Sequence, residues 1–526
     1  MALLRKYRFG FLLLLILLLV ITSSRVLFPA WPYELTGEEN SAAQLRGLLQ
    51  WSTNLARPLP RTADEGPIAY TELSPFGINT FLEQEVELEK RARSLQLISE
   101  AGFHWIRQEF PWEDIEIHGK GDFEDRRHVP HRSAWEKYDQ LVASAEQYQL
   151  GIIVRLSNPP TWSRAAGDEL GTYAPPDDFA DYGDFVAAVV SRYRGRIRFY
   201  QVWNEPNIYP EWGKRPVDPE AYTELLCLAY KRIKAADPQA VVISGALAPT
   251  VALGTSRPDG GNALMDTVFL QRMYQAGAGA CFDIMAVNDY MLWSGPTDRR
   301  MRPNLTNFSR PLWIRDLMVA HGDAGKPIWL TEMNSNAAPA GLPAIYGRVT
   351  EEQQARYAIQ ALERVQQEWP WVGHVAIWFF KRPSEQERGE PWYYFRLMEP
   401  DFTPLPIYAE IKEYLNTLAP TLYQGQHSAE SWQLNYQGAW ITSPEGTKST
   451  VTAGASLTLN WQGRALELLP GNSNALIRVM AEGQSVREIM VESQPVLLDR
   501  DLLKRQHALQ LVVLEGGLTI KGFQVE

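Results

Sequence analysis

A glutamate stands at the centre of the short polar segment Trp203-Asn204-Glu205-Pro206-Asn207. Residues 197–203 lead into it as a largely apolar run, which is typical of a buried strand in a parallel sheet. Pro206 has no amide hydrogen to give to a strand ladder, so we expect the strand to end there. Glu205 is therefore predicted at the carboxyl end of a strand, where α/β folds place their chemistry. A carboxyl group beside an amide and aromatic rings can act there as a general acid, whereas a surface turn residue is the competing interpretation.

The elements that position Glu205 belong to a repeated pattern, in which eight strands alternate with helices between about residues 70 and 420. Helix start signals occur at Asp218-Pro219 and at Thr350-Glu351-Glu352-Gln353. This alternation predicts an α/β fold of the (β/α)8 TIM-barrel type. An open doubly wound sheet is the competing topology, but no glycine-rich phosphate loop follows the first strand. The predicted strands cover residues 76–79, 104–107, 151–156, 197–203, 241–245, 282–287, 327–332 and 375–380.

Asn204-Glu205-Pro206, at the end of the fourth predicted strand, resembles the acid/base strand of the clan A retaining glycoside hydrolases, which are (β/α)8 barrels. The segment 102–107 and Trp112 also resemble the second-strand region of family 39 within that clan, to which the family 5 cellulase-like group is related. The resemblance implies a second glutamate at the end of the seventh strand. Glu332, within Trp329-Leu330-Thr331-Glu332-Met333-Asn334, occupies that position.

Two carboxyl groups suit hydrolysis of a glycosidic bond with retention of configuration. One attacks the anomeric carbon and the other protonates the departing oxygen, across a gap of about 5–5.5 Å. The resemblance assigns Glu332 as the nucleophile and Glu205 as the acid/base. We expect the charge of Glu332 to keep Glu205 protonated until the glycosyl-enzyme forms, after which Glu205 acts as a base toward water.

The resemblance also implies residues that hold this pair and the sugar. Asn204 corresponds to an asparagine that hydrogen-bonds the sugar 2-hydroxyl, and Arg107 to an arginine that steadies the nucleophile. Tyr290 corresponds to a tyrosine that hydrogen-bonds the nucleophile. Many relatives carry a histidine two residues before that tyrosine, where this chain has Asn288, which leaves the detail of the sugar subsites open. A structural ion pair is the competing role for Arg107.

Three further residues are expected to contact substrate. Trp378, in the eighth predicted strand, is placed to form a floor beneath the sugar ring, with barrel core as the alternative. Trp162 and Asn158 follow the third strand and are expected to line the cleft, with a role as loop anchors as the alternative.

The amino-acid composition limits the classes of function that this protein can have. The net charge is −11 and the basic residues are dispersed, which argues against a nucleic-acid partner. No His, Asp or Cys cluster has the spacing of metal ligands, and the double-displacement mechanism needs neither a metal nor an organic cofactor. Cys227 and Cys281 lie in apolar surroundings; we interpret both as core residues, with a disulfide as the alternative.

The amino-terminal sequence, residues 1–69, differs in pattern from the predicted barrel. Residues 1–24 place Arg5, Lys6 and Arg8 before the apolar run 9–21, which predicts an export signal. Without an Ala-x-Ala site an uncleaved signal anchor is favoured over a cleaved signal peptide, so the catalytic part is expected outside the cytoplasm, membrane-anchored or secreted. Residues 25–69 are interpreted as a linker or wrapping segment.

Residues 421–526 alternate short apolar runs with Gly and Ser turns, which predicts a small all-β sandwich of jelly-roll type. Carbohydrate binding and simple packing against the barrel are both open for this module. The whole sequence predicts a retaining glycoside hydrolase that cleaves β-linked sugars of an extracellular oligo- or polysaccharide. A polysaccharide-binding pseudoenzyme and a transglycosylase remain as alternatives, and the sugar, the linkage and exo or endo action stay open.

Overall fold

A computed structural model describes residues 30–254, 262–481 and 483–526 of the chain. Eight parallel strands form a barrel, as predicted. Neighbouring strands pair in sequence order, β8 pairs with β1, and parallel bridges Ile243↔Ile284 and Leu247↔Val287 join the β5 and β6 regions. The barrel strands are β1 (Phe76–Thr80), β2 (Trp105–Glu109), β3 (Gly151–Leu156), β4 (Phe199–Val202), β5 (Val241–Ile243), β6 (Met285–Asn288), β7 (Ile328–Met333) and β8 (Val372–Ile377).

Helices surround the barrel and begin where the sequence signals predict. The Asp218 side chain accepts a hydrogen bond from the Ala221 amide, and Thr350 and Gln353 form a capping box. The helices are α1 (Trp31–Thr36), α2 (Ser41–Trp51), α3 (Leu88–Glu100), α4 (Glu136–Gln147), α5 (Phe179–Arg192), α6 (Pro219–Ala236), α7 (Asp266–Gln275), α8 (Pro311–Ala320), α9 (Glu351–Glu368) and α10 (Pro406–Thr417). Shorter helical turns cover Trp112–Ile115, Ser52–Ala56, Thr161–Ser163, Gly167–Leu170, Ala278–Ala280 and Pro391–Phe395, and a small hairpin pairs Glu124–Asp125 with Arg132–Ser133.

An apolar layer fills the lower part of the barrel. The ring of Phe199 on β4 lies 4.9 Å from that of Trp329 and 5.4 Å from that of Trp105. Side chains two residues apart on a strand share a face, so Gln201 lies above Phe199 and begins a polar layer. This polar layer therefore lies toward the carboxyl ends of the strands.

The eighth strand begins earlier than predicted, at Val372 instead of residue 375. Gly373 and His374 interrupt the apolar pattern, yet His374 is buried and its ring lies 4.9 Å from that of Trp329. A Cβ at Gly77 on the adjacent strand would come within 2.4 Å of the His374 ring, so a larger residue there would displace this ring. The strand also ends earlier than predicted, at Ile377, so Trp378 follows β8 instead of lying inside it.

The segment interpreted as a linker or wrapping segment contains α1 and α2. Asn40 caps α2 through hydrogen bonds from the Ala42 and Ala43 amides, and the Tyr33 hydroxyl donates to Gln360 of α9 at 2.5 Å. These helices pack along the outside of the barrel. The predicted export signal in residues 1–24 lies outside the described residues. Within the part of the chain that the structure describes, no helix has both the length and the apolar character needed to cross a membrane.

The carboxyl-terminal residues form the predicted β-sandwich. Its long last strand pairs with one sheet through its first half and with the other through its second half. The Trp432 amide donates to Glu72 O at 2.9 Å and its ring lies edge-on to Phe76, so the sandwich meets the barrel where β1 begins, at the end opposite the strand tips. Its strands are β9 (Thr421–Leu422), β10 (Gly425–Ser428), β11 (Asn435–Gln437), β12 (Ile441–Thr442), β13 (Lys448–Thr450), β14 (Ser456–Gln462), β15 (Ala465–Pro470), β16 (Asn474–Ala481), β17 (Gln484–Val491), β18 (Val496–Arg500) and β19 (Gln506–Val525).

Candidate active site

Arg107 on β2 connects four strands at the top of the barrel interior. It is 3% exposed, and its Nη1 donates to Asn79 Oδ1 and to Glu332 Oε1, both at 2.8 Å. Its Nη2 donates to Asn204 Oδ1 at 2.9 Å and its Nε to Gln201 Oε1 at 2.8 Å. A planar guanidinium with several fixed donors can hold these acceptors in one geometry. The arginine therefore ties the Asn204 amide to the Glu332 carboxylate.

Glu332 on β7 is buried and receives a donor at each carboxylate oxygen. Arg107 donates to Oε1, and the Tyr290 hydroxyl donates to Oε2 at 2.5 Å. Burial, together with the charge of Glu332, holds the pKa of Tyr290 well above its usual value, so the phenol keeps its proton and stays a donor. Both bonds favour the ionised form of a carboxyl group at this position.

Glu205 follows β4 in a strained turn and is only partly exposed. Trp203 and Glu205 have φ of 75° and 36°, in the left-handed region that non-glycine residues seldom occupy. The Asn288 side chain donates to Glu205 Oε1 at 2.8 Å, and Thr331 in turn donates to Asn288 Oδ1 at 2.9 Å. Burial first, and then the charges of Glu332 and Glu211, raise the pKa of Glu205 to about 8. A carboxyl group with this pKa carries its proton at neutral pH.

Glu211, on the loop after β4, is a further carboxyl group beside the pair. The Asn204 Nδ2 donates to Glu211 Oε1 at 3.2 Å, and the Trp203 indole donates to the Glu211 carbonyl at 2.8 Å. Burial is the main cause that raises the pKa of Glu211 to about 7, while Arg155 and the Asn204 bond oppose it. Asn204 is thus held from both ends of its amide, by Arg107 at the oxygen and by Glu211 at the nitrogen.

Three predicted substrate contacts lie outside this network. Trp378 is half-buried, and its ring lies edge-on to Phe81 at 5.5 Å. The Trp162 indole donates to the Glu116 carbonyl at 2.7 Å, which joins the loops after β2 and β3. Asn158 has φ of 56°, and its backbone carbonyl accepts from an amide of the neighbouring loop. The substrate-contact roles of these three residues stay predictions.

The structure brings five of the predicted residues into one hydrogen-bonded cluster, in which β2, β4, β6 and β7 meet. These five are Arg107, Asn204, Glu205, Tyr290 and Glu332. Glu205 is linked to the others through Asn288, Thr331 and Asn79. Sequence reasoning missed the partners that complete the cluster, namely Asn79, Gln201, Asn288 and Glu211. Asn79, Gln201 and Asn288 lie at or near strand ends, which was the available signal, whereas Glu211 lies in a loop without a recognisable pattern. Among the described residues, no group of three or more His, Cys, Asp or Glu side chains is arranged to hold a metal ion.

Neither a protein-family model nor a curated protein matches the chain. Solved structures do resemble it. A family 39 glycoside hydrolase from Bacteroides cellulosilyticus WH2 aligns at a TM-score of 0.51 and 16% identity, covering 85% of this chain and 83% of that one. A monomeric β-xylosidase from Caulobacter crescentus CB15 aligns at a TM-score of 0.47 and 16% identity, over 85% of this chain and 97% of that one. The expected resemblance is confirmed for the fold: the chain shares the barrel-plus-sandwich architecture of a family 39 glycoside hydrolase.

Proposed function

We propose that this protein is a retaining glycoside hydrolase that cleaves β-linked sugars by double displacement, with Glu332 as the nucleophile and Glu205 as the acid/base. The observation that carries the proposal is the unequal surroundings of the two carboxyl groups. Glu332 receives a cationic donor and a phenol, one at each oxygen, whereas Glu205 receives a single neutral amide. The first setting favours a carboxylate. At Glu205, burial and the charges of Glu332 and Glu211 outweigh the Asn288 amide and favour a carboxylic acid.

The residues then act in sequence. Glu332 attacks the anomeric carbon while Glu205 gives its proton to the departing oxygen, which leaves the sugar as an ester of Glu332. The carboxylate charge of Glu332 is lost in that ester, so Glu205 becomes a stronger acid, ionises and can take a proton from the attacking water. Arg107 occupies the Asn204 oxygen and Glu211 accepts from its nitrogen, which leaves one amide hydrogen to offer to a sugar hydroxyl.

The test is turnover of a panel of aryl β-glycosides and β-linked polysaccharides by the parent chain and by Glu205→Ala and Glu332→Ala. We expect the parent to cleave one sugar class, azide to rescue Glu205→Ala with formation of a β-glycosyl azide, and Glu332→Ala to be inactive. Glu492→Ala, on the exposed surface of the sandwich, is the matched control and should keep parental activity. Activity in both site variants would disprove the assignment.

The same panel separates the two alternatives. A pseudoenzyme would bind a polysaccharide without cleaving it. A transglycosylase would move the sugar to an added acceptor at the expense of free sugar, which product analysis with and without the acceptor measures.

We also propose that the catalytic part works outside the cytoplasm. Cys227 of α6 and Cys281 before β6, interpreted from the sequence as core residues, are joined in a disulfide. Disulfides persist in oxidising compartments and are rare in the cytosol, which agrees with the basic-then-apolar pattern of residues 1–24. Fractionation of cells that produce the full chain tests this: recovery with the cytosolic fraction and free thiols on both cysteines would count against it.

A further inference from the structure

Two tryptophan side chains are exposed, although an apolar ring of this size is ordinarily buried. All 18 tryptophans lie within the described residues, and only Trp293 and Trp392 among them are exposed, at 59% and 40%. Trp293 lies on the loop after β6, and Trp392 on the helical turn Pro391–Phe395 after β8. Both loops follow the carboxyl ends of strands, at the barrel mouth that holds Glu205 and Glu332. A single exposed apolar side chain is ordinary, whereas a contiguous exposed apolar surface marks a binding site, so it matters whether the two rings belong to one surface.

The loop after β7 joins the two tryptophan-bearing loops. It touches the loop after β6 so closely that a Cβ at Gly347 would overlap the Leu292 carbonyl oxygen. It touches the loop after β8 through Asn336, whose Nδ2 donates to the Pro391 carbonyl at 2.9 Å. Leu292 and Pro391 each directly precede one of the exposed tryptophans. The three loops therefore form one continuous rim over β6, β7 and β8.

Tyr346 connects this rim to the catalytic cluster. Its ring lies 5.6 Å from that of Phe395, which lies 5.3 Å from the ring of Tyr290. Tyr346 is also close enough to feel the charges of both Glu205 and Glu390, which add to the effect of burial in raising its pKa. Ile345 beside it is 56% exposed and extends the apolar surface.

We propose that Trp293, Tyr346 and Trp392 form a stacking platform for sugar rings of the substrate chain beyond the ring that is cleaved. The inference rests on the proposed function and specifies its substrate class, a β-linked oligo- or polysaccharide and not a lone glycoside. The C–H face of a pyranose is apolar and matches the flat face of an aromatic ring, while its hydroxyl groups stay in water. An exposed rim of rings beside the catalytic pair offers that match to an extended chain.

The test compares substrates of different length. The full chain, Trp293→Ala, Trp392→Ala and the double variant are assayed on aryl β-monoglycosides and on β-linked oligosaccharides of increasing length, built from the sugar and linkage that the parent cleaves in the panel. We expect monoglycoside turnover to stay parental, while kcat/KM on long chains falls about tenfold for each lost ring. Trp293→Phe and Trp392→Phe keep a flat ring and should recover most of the loss. Trp440→Ala, in the sandwich, is the matched control for binding by that module.

Gel retardation in the matching soluble polysaccharides measures binding independently of catalysis. Equal retardation of parent and double variant, or an equal loss on short and long substrates, would overturn the platform. A change of oligomeric state in the double variant, seen by sedimentation, together with unchanged retardation, would identify the rim as a contact between proteins instead. A parent that cleaves no substrate would count against the proposed function, and loss of retardation in the double variant would still support the platform.

Discussion

Replacing Glu332 by glutamine removes one negative charge beside Glu205 and leaves the side-chain volume almost unchanged. The amide oxygen can still accept from Arg107 or Tyr290, which hold the native carboxylate at 2.8 and 2.5 Å. Glu205 loses a repelling neighbour, so we expect its pKa to fall from about 8 toward the ordinary value of 4.5. It should not reach that value, because burial, the larger cause, is unaltered.

The size of the effect follows from Coulomb's law. Two charges about 5.5 Å apart interact by about 3 kcal/mol at an effective dielectric constant of about 20. Arg107 lies 2.8 Å from Glu332 and cancels part of that field. The expected change is therefore roughly 1.4–3 kcal/mol, which is a roughly ten- to hundredfold increase in the acid dissociation constant of Glu205.

Infrared titration of the protonated carboxyl band gives this constant without requiring activity, which Glu332→Gln is expected to lack. The Glu205 band is assigned as the one missing from Glu205→Gln, and Glu492→Gln is the matched control, since that exposed glutamate lies on the sandwich. We expect the midpoint to move to lower pH in Glu332→Gln and to stay in place in the control. An unmoved midpoint would refute the claim that the two carboxyl groups interact, and with it the proposed division of roles.

Three other perturbations have definite expected outcomes. Asn288→Ala removes the amide that bonds Glu205, so the alkaline limb of kcat/KM should move to higher pH; an unmoved limb would mean that this bond does not favour the ionised form. Asp289 is 1% exposed, neither of its oxygens has a hydrogen-bond partner in the described part of the chain, and burial raises its pKa well above 3.8. The folded state thus keeps a proton that the unfolded state releases, so the parent should lose stability relative to Asp289→Asn as pH rises from 5 to 8, and a pH-independent difference in Tm would contradict this. Replacing Cys227 and Cys281 by serine opens a link across 54 residues and should cost up to about 4 kcal/mol in denaturant unfolding, whereas an unchanged midpoint would show that the link is not formed in the isolated protein.

The barrel could be predicted from the sequence because its strands and helices carry local signals. Strand β3 was predicted with its observed bounds, and Asp218 and Thr350 are the N-cap residues directly before α6 and α9. Strand β8 was misplaced by three residues because its first part depends on a distant contact. The ring of His374 occupies space that a side chain at position 77, about 300 residues earlier in the chain, would fill. Such a pairing has no local pattern.

The proposed catalytic pair could be predicted because Glu205 follows a recognisable strand and Glu332 lies near the end of another, but its surroundings could not. Asn288 was noted only as a departure from the relatives' histidine, whereas the structure directs its amide to Glu205. Glu211 carries no signal in the sequence, since its approach to Asn204 depends on how the loop folds back onto Trp203. The hydrophobic periodicity of a sequence indicates where a strand ends. The geometry of a loop depends on side-chain contacts that follow no periodic pattern in the sequence.

Glu211 gives the site a negative charge that the proposed reaction does not remove. When Glu332 becomes an ester its charge disappears, but Glu211 remains beside Asn204, 3.2 Å from its amide nitrogen. Its pKa of about 7 means that the charge is present chiefly at neutral and alkaline pH. At those pH values the Glu211 charge continues to favour protonation of Glu205 in the glycosyl-enzyme. Glu205, as the base that acts on water, therefore has a higher proton affinity than it would have without Glu211. On the proposed mechanism, the strength of the base in the second step is therefore set by the loop after β4 as well as by the two strand ends.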